Sequence, residues 1–135
     1  LLKQDLEEYR MSFESRNPAT GEIIEKYPQH SAADIESCLA RTWSCWKSWS
    51  GVPLATRTAF LNRLAVALEG RADEFARLIT LEMGKPFAEA QAELKKAASG
   101  ARHFAEKGPE YIEPQPIPGT QAQVIYQPLG PILGV

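Results

Sequence analysis

The sequence predicts an α/β chain, and three observations carry that reading. Short strand-like runs near both ends are bracketed by Pro and Gly, at Pro18 and Gly21 and again at Pro118 and Gly119. Between them, four stretches repeat apolar residues at spacings of three and four. The chain closes on Gly130-Pro131-Ile132-Leu133-Gly134-Val135, a continuous apolar run after a Pro/Gly turn, as a sheet covered on both faces requires. Nothing in the chain follows to cover that strand, so the sequence reads as the front part of a larger protein.

Each element has its own local cause. Residues 1–10 have no fold signal, and Met11 stands directly before the first strand-like segment, so 1–10 is read as an extra N-terminal segment. Ser12-Phe13-Glu14-Ser15 and Ile23-Ile24-Glu25-Lys26-Tyr27-Pro28 flank Asn17-Pro18-Ala19-Thr20-Gly21-Glu22, whose fixed φ at Pro18 and permissive φ at Gly21 suit a hairpin connection. Ser31-Ala32-Ala33-Asp34 is a capping box opening a helix with the stripe Ile35, Leu39, Thr42, Trp46, Trp49, which ends before Gly51. Pro53 suits the first turn of a second helix, with Phe60, Leu61, Leu64 and Leu68 as its buried side before Gly70.

A third helix with Phe75, Leu78, Ile79 and Met83 stops at Gly84. Pro86 starts a fourth, whose face of Phe87, Ala90, Leu94, Ala97, Ala101 and Phe104 runs to Gly108 and Pro109. Its many small residues allow close approach to neighbours. Pro114, Pro116, Pro118 and Gly119 form a connection, after which Gln121 to Gln127 alternates with the period of a strand.

Composition excludes several classes of function. The chain is 44% hydrophobic and 24% charged with a formal net charge of -2, so there is no basic excess to attract nucleic acid. No apolar stretch approaches the roughly 18 residues needed to cross a bilayer, and the first ten residues lack a signal peptide's apolar core, which makes a cytoplasmic protein the expectation. Two cysteines are too few for a disulfide framework.

No local pattern assembles a catalytic group. Cys38 and Cys45 lie on the first helix, where Arg41 and Lys47 are expected to point elsewhere, so both thiols read as inert. His30 and His103 have no Ser, Cys or paired carboxylate in a recognisable arrangement and read as surface residues. Gly84-Lys85-Pro86 fails as a phosphate loop because proline replaces the required Ser or Thr, and Gly130-Pro131-Ile132-Leu133-Gly134 fails as a dinucleotide fingerprint. Glu89 and Glu93, with Lys95, Lys96 and Glu106, read as a solvated face.

Taken together, four segments resemble the N-terminal region of the aldehyde dehydrogenase superfamily: Asn17 to Glu22, Trp46 to Trp49, Leu81-Glu82-Met83-Gly84-Lys85-Pro86 leading to Glu93, and Tyr126-Gln127-Pro128-Leu129-Gly130. The similarity runs from about Met11 to Val135. The Leu81–Pro86 turn and the connection around Pro114 are most similar to bacterial NAD(P)-dependent succinate-semialdehyde dehydrogenases.

The resemblance implies the N-terminal part of that α/β fold: a β-hairpin, four helices, bridging hairpin strands and the first strand of a Rossmann-like sheet. Residues 11–119 would belong to the NAD(P)-binding domain, 120–130 to the oligomerisation or bridging strand, and 131–135 to the start of the first Rossmann-like strand. The implied chemistry is oxidation of an aldehyde, succinate semialdehyde in the similar group, to the acid. A cysteine thiolate attacks the carbonyl, hydride passes to NAD or NADP, and a glutamate activates water to release the thioester.

None of those groups matches a residue here, so the expected catalytic, cofactor-binding and metal residues of this chain are none, and the isolated 135 residues are expected to be inactive. In relatives the oxyanion-site asparagine follows almost directly after the position of Val135. Glu82 matches a turn that contributes to a monovalent-cation site in some relatives, and the helix from Phe87 to Lys107 would border the substrate tunnel. The implied partners are an aldehyde substrate and further copies in a homo-oligomer, with neither nucleic acid nor membrane. Two alternatives stay open: an assembly module that adds Gln121 to Val135 to another protein's sheet edge, and a small independent helical domain.

Overall fold

The computed structural model describes residues 12–134, so the readings made for residues 1–11 and for Val135 lie outside the described residues. Strand β1 (Ser12–Arg16) pairs antiparallel with β2 (Ile23–Pro28), placing Phe13 opposite Tyr27 and Glu14 opposite Lys26, with an irregularity between Ser15 and Arg16. The turn closes through Gly21 N–H donating to the Asn17 carbonyl at 2.8 Å, while the Asn17 side-chain oxygen accepts from Ala19 N–H at 2.9 Å. Gly21 takes φ 75°, which a Cβ would disfavour.

Helix α1 (Ala32–Trp49) begins on the expected capping box. The Ser31 hydroxyl accepts from Asp34 N–H at 3.2 Å and the Asp34 carboxylate accepts from Ser31 N–H at 3.0 Å. Its stripe is formed but only partly covered: no residue of α1 is fully buried, and Trp46 is half-buried. Trp49 meets Phe60 edge to face at 5.2 Å between ring centres.

Helices α2 (Leu54–Gly70), α3 (Ala72–Met83) and α4 (Phe87–Tyr111) form the packed unit, with α4 lying against both others. Its core is Ala76, Ala90 and Leu94, flanked by Leu68, Phe75 and Ile79. Polar clasps run along the same contacts: Arg102 donates to Glu69 across α4 and α2 at 2.5 Å, and Gln91 to Asp73 across α4 and α3 at 2.7 Å.

Two expected faces shift. On α4 the buried positions are Ala90, Leu94, Ala98 and Ala105, whereas Ala97 and Phe104 are exposed. On α2 the fully buried residue is Ala65, with Phe60 and Leu64 half-exposed. Small side chains sit at the closest helix approach, so the larger residues beside them are displaced outward. Helix α4 also runs past Pro109 to Tyr111. Proline in the last turn costs one backbone bond, and Tyr111 gains contacts two turns back: its hydroxyl lies 2.9 Å from His103 Nε2, and its ring packs edge-on to Phe104.

The C-terminal segment holds less strand than its alternation suggests. Only β3 (Gln115–Pro116) and β4 (Gln123–Val124) pair, antiparallel, across a turn with Gly119 at φ 76°. Residues 125–134 include no strand. A strand is defined by its partner, and none among the described residues lies beside Ile132, Leu133 and Gly134.

Candidate functional site

The Asn17–Glu22 turn and the Leu81–Pro86 turn, distant in sequence, meet in space. Gly84 ends α3 in the left-handed conformation at φ 69°, and a Cβ built there would lie 2.9 Å from Pro18 Cγ. Only glycine meets both demands. Beside this contact the Ser15 hydroxyl donates to Glu82 Oε1 at 2.8 Å, which ties β1 to the end of α3.

Lys85 leaves the turn toward α4, where its ammonium pairs with Glu93. The two line an open cleft of about 700 Å³ with Ala92, Lys96 and Ala97. The cleft presents two ammonium groups and one carboxylate and no nucleophile. It can attract an anion and cannot by itself perform acyl or hydride transfer. Glu82 takes part in a hydrogen bond to Ser15, and no cluster of three His, Cys, Asp or Glu able to hold a metal occurs among the described residues.

The other flagged residues remain scattered. His103 joins Tyr111 near the end of α4, and His30 is exposed before α1. Among the described residues no hydrogen bond joins a cysteine to a histidine. Cys38 departs from expectation: Arg41 Nη2 donates to its Sγ at 2.9 Å and Arg41 Nη1 to Ser37 Oγ at 2.8 Å. The guanidinium therefore turns back along the helix rather than away, as an i, i+3 pair can. That spacing was the available signal. Cys45 is free and exposed. Glu89, Glu93, Lys95, Lys96 and Glu106 all lie on exposed positions of α4.

Charge pairs elsewhere are superficial. Hydrogen bonding from Arg16 holds the Glu14 carboxyl below the usual glutamate range, and Arg71 does the same for Glu74. Both are exposed pairs, and Arg16 also donates to the Gly21 carbonyl of the hairpin turn at 3.2 Å.

The aldehyde dehydrogenase family model matches residues 5–135. The chain belongs to the aldehyde dehydrogenase family. It is 38% identical over 125 residues to succinate-semialdehyde dehydrogenase [NADP(+)] of Deinococcus radiodurans, covering 91% of this chain and 26% of that protein. A probable succinate-semialdehyde dehydrogenase [NADP(+)] of a Synechocystis species is 37% identical over 127 residues, covering 93% and 28%. The crystal structure of succinic semialdehyde dehydrogenase from Streptococcus pyogenes with NADP+ superposes with a TM-score of 0.76 at 28% identity, over 82% of this chain and 25% of that one. Another solved structure, described as addressing cofactor and substrate selection by Gox0499, gives 0.82 at 27% identity, over 88% and 27%. The chain thus spans about a quarter of the length of the aldehyde dehydrogenases it matches, and its architecture is that of their N-terminal part.

Proposed function

We propose that this chain serves an aldehyde dehydrogenase that oxidises succinate semialdehyde to the dicarboxylate with NAD or NADP as hydride acceptor, and that its 135 residues contribute scaffold rather than chemistry. The observation that carries this reading is the similarity to succinate-semialdehyde dehydrogenases along nearly the whole chain, supported by the Pro18–Gly84 contact between two of its motifs. In this reading residues 11–119 belong to the NAD(P)-binding domain, 120–130 to a subunit-bridging strand and 131–135 to the first Rossmann-like strand, and the complete enzyme is a homo-oligomer.

In this reading no residue of this chain is assigned to the dinucleotide. No step is assigned to this chain through the cofactor. In this reading the cysteine that carries the thioester is neither Cys38 nor Cys45, which match no catalytic position of the family. No helix among the described residues is long and apolar enough to cross a bilayer.

The test follows NAD(P)H formation from succinate semialdehyde, once with this chain alone and once with this chain substituted for the matched quarter of the Deinococcus relative. Turnover by the substituted enzyme and none by the chain alone is expected. Loss of turnover in a folded, NADP-binding substituted enzyme would count against the assignment. The assembly-module alternative rests on the exposed Leu129, Ile132 and Leu133, and calls for a cooperatively unfolding species of defined size without any dehydrogenase portion.

A further inference from the structure

We propose that His103 and Tyr111 form a latch across Pro109: closed, it keeps the last turn of α4 wound and fixes the direction in which the chain enters β3, and open, it lets residues 109–112 unwind as a hinge. The Tyr111 hydroxyl lies 2.9 Å from His103 Nε2, two helical turns back. The two rings are tilted, with centres 5.9 Å apart, and Phe104 meets both edge to face, His103 at 5.4 Å and Tyr111 at 6.5 Å.

The need for a latch arises in the backbone. Proline has no N–H, so the Ala105 carbonyl receives no bond from residue 109, and the pyrrolidine ring crowds the same carbonyl. The closing bond is also weak: Ile112 N–H donates to the Pro109 carbonyl at 3.3 Å, across three residues rather than four. A last turn with so little backbone bonding frays unless side chains hold it. Two side-chain links span it. Lys107 donates to Glu110 at 3.0 Å, an exposed ion pair of small effect, whereas the His103–Tyr111 bond comes with the packing of three rings.

The latch stands at a junction. Ile112, Glu113 and Pro114 alone separate Tyr111 from Gln115, where β3 begins. Pro114 fixes its own φ and disfavours the helical region for Glu113, so little slack remains between the last turn and the β3–β4 hairpin. A change of winding at Pro109 is therefore passed on to the hairpin.

The experiment follows amide exchange by mass spectrometry in the full 135-residue chain, and again in its fusion to the rest of the Deinococcus enzyme, with the same result expected in both. Tyr111→Phe removes the hydroxyl and keeps the ring. It should speed exchange at Glu110, Tyr111 and Ile112 about 5-fold and leave Ala90 to Ala98 unchanged. His103→Leu, which cannot form the bond, should match it, and the two together should add less than about 2-fold more because both break one contact. His103→Gln, whose side-chain amide reaches the place of Nε2, should stay within about 2-fold of the unsubstituted chain. A spin-label distance between Ala97 and Gln121 should broaden in Tyr111→Phe and stay narrow in His103→Gln. Exchange that neither single variant alters, or that rises equally along all of α4, overturns the latch. Multiplied effects in the double variant overturn the pairing of His103 with Tyr111, and an unchanged label distance overturns the hinge.

Discussion

Gly84 is the residue on which the most structure converges. Its φ of 69° strains any residue with a Cβ, and that Cβ would meet Pro18 Cγ at 2.9 Å. Gly84→Ala should therefore lower stability by about 1–3 kcal/mol in urea titration. Adding Pro18→Ala should recover the steric share and leave the backbone share. Equal losses in the single and double variants would show that the turn contact contributes nothing.

Glu14 and Glu74 carry the pH dependence at this scale. Arg16 and Arg71 depress their folded carboxyl pKa values, so the contribution of each pair is present above the usual glutamate value of about 4.3 and is lost as pH falls through the depressed folded value. Urea midpoints should decline on acidification, and less steeply in a Glu14→Gln/Glu74→Gln double variant. A steeper or unchanged acid limb would remove these pairs from the explanation. Exposure keeps the effect small.

At the scale of elements, the three-helix unit is held where α4 approaches α2 and α3 through small residues. Leu94→Ala should cost about 2–4 kcal/mol by thermal or urea unfolding, and Ala90→Leu about 1–3 kcal/mol because the site has no room. Phe104→Ser, at a 55% exposed position, should stay within about 1 kcal/mol. The reverse ranking would restore the face that periodicity alone suggests. Ser31→Ala should cost α1 about 1 kcal/mol, visible as faster amide exchange in its first turn.

These elements also show what could be read from the sequence. Caps and turns were legible because their causes are local: Ser31 with Asp34, Gly21 after Pro18, Gly84 before Pro86. The buried side of α4 was not, because periodicity weights Phe104 above Ala98 and Ala105, while close packing of helices selects the alanines. The strand at Ile132 to Val135 was expected from apolar character, but pairing is a non-local property and the described residues supply no partner. The candidate site divided the same way. Its two motifs were visible in the sequence, whereas their contact through Pro18 and Gly84 was set by the packing of β1 against α3.

At the scale of the whole molecule, the chain exposes 11272 Å², against roughly 7,000 Å² for a compact monomer of its size. Exposed apolar side chains occur in every part of the described chain and are most exposed at Leu129, Ile132 and Leu133, while the three-helix unit has its own small core. The chain matches about a quarter of a larger dehydrogenase. The most direct test is NADPH formation from succinate semialdehyde by the purified 135 residues, beside the same residues fused to the rest of the Deinococcus enzyme. The account expects absorbance to rise with the fusion and to stay flat with the chain alone. Sustained, substrate-dependent turnover by the 135 residues themselves would contradict it.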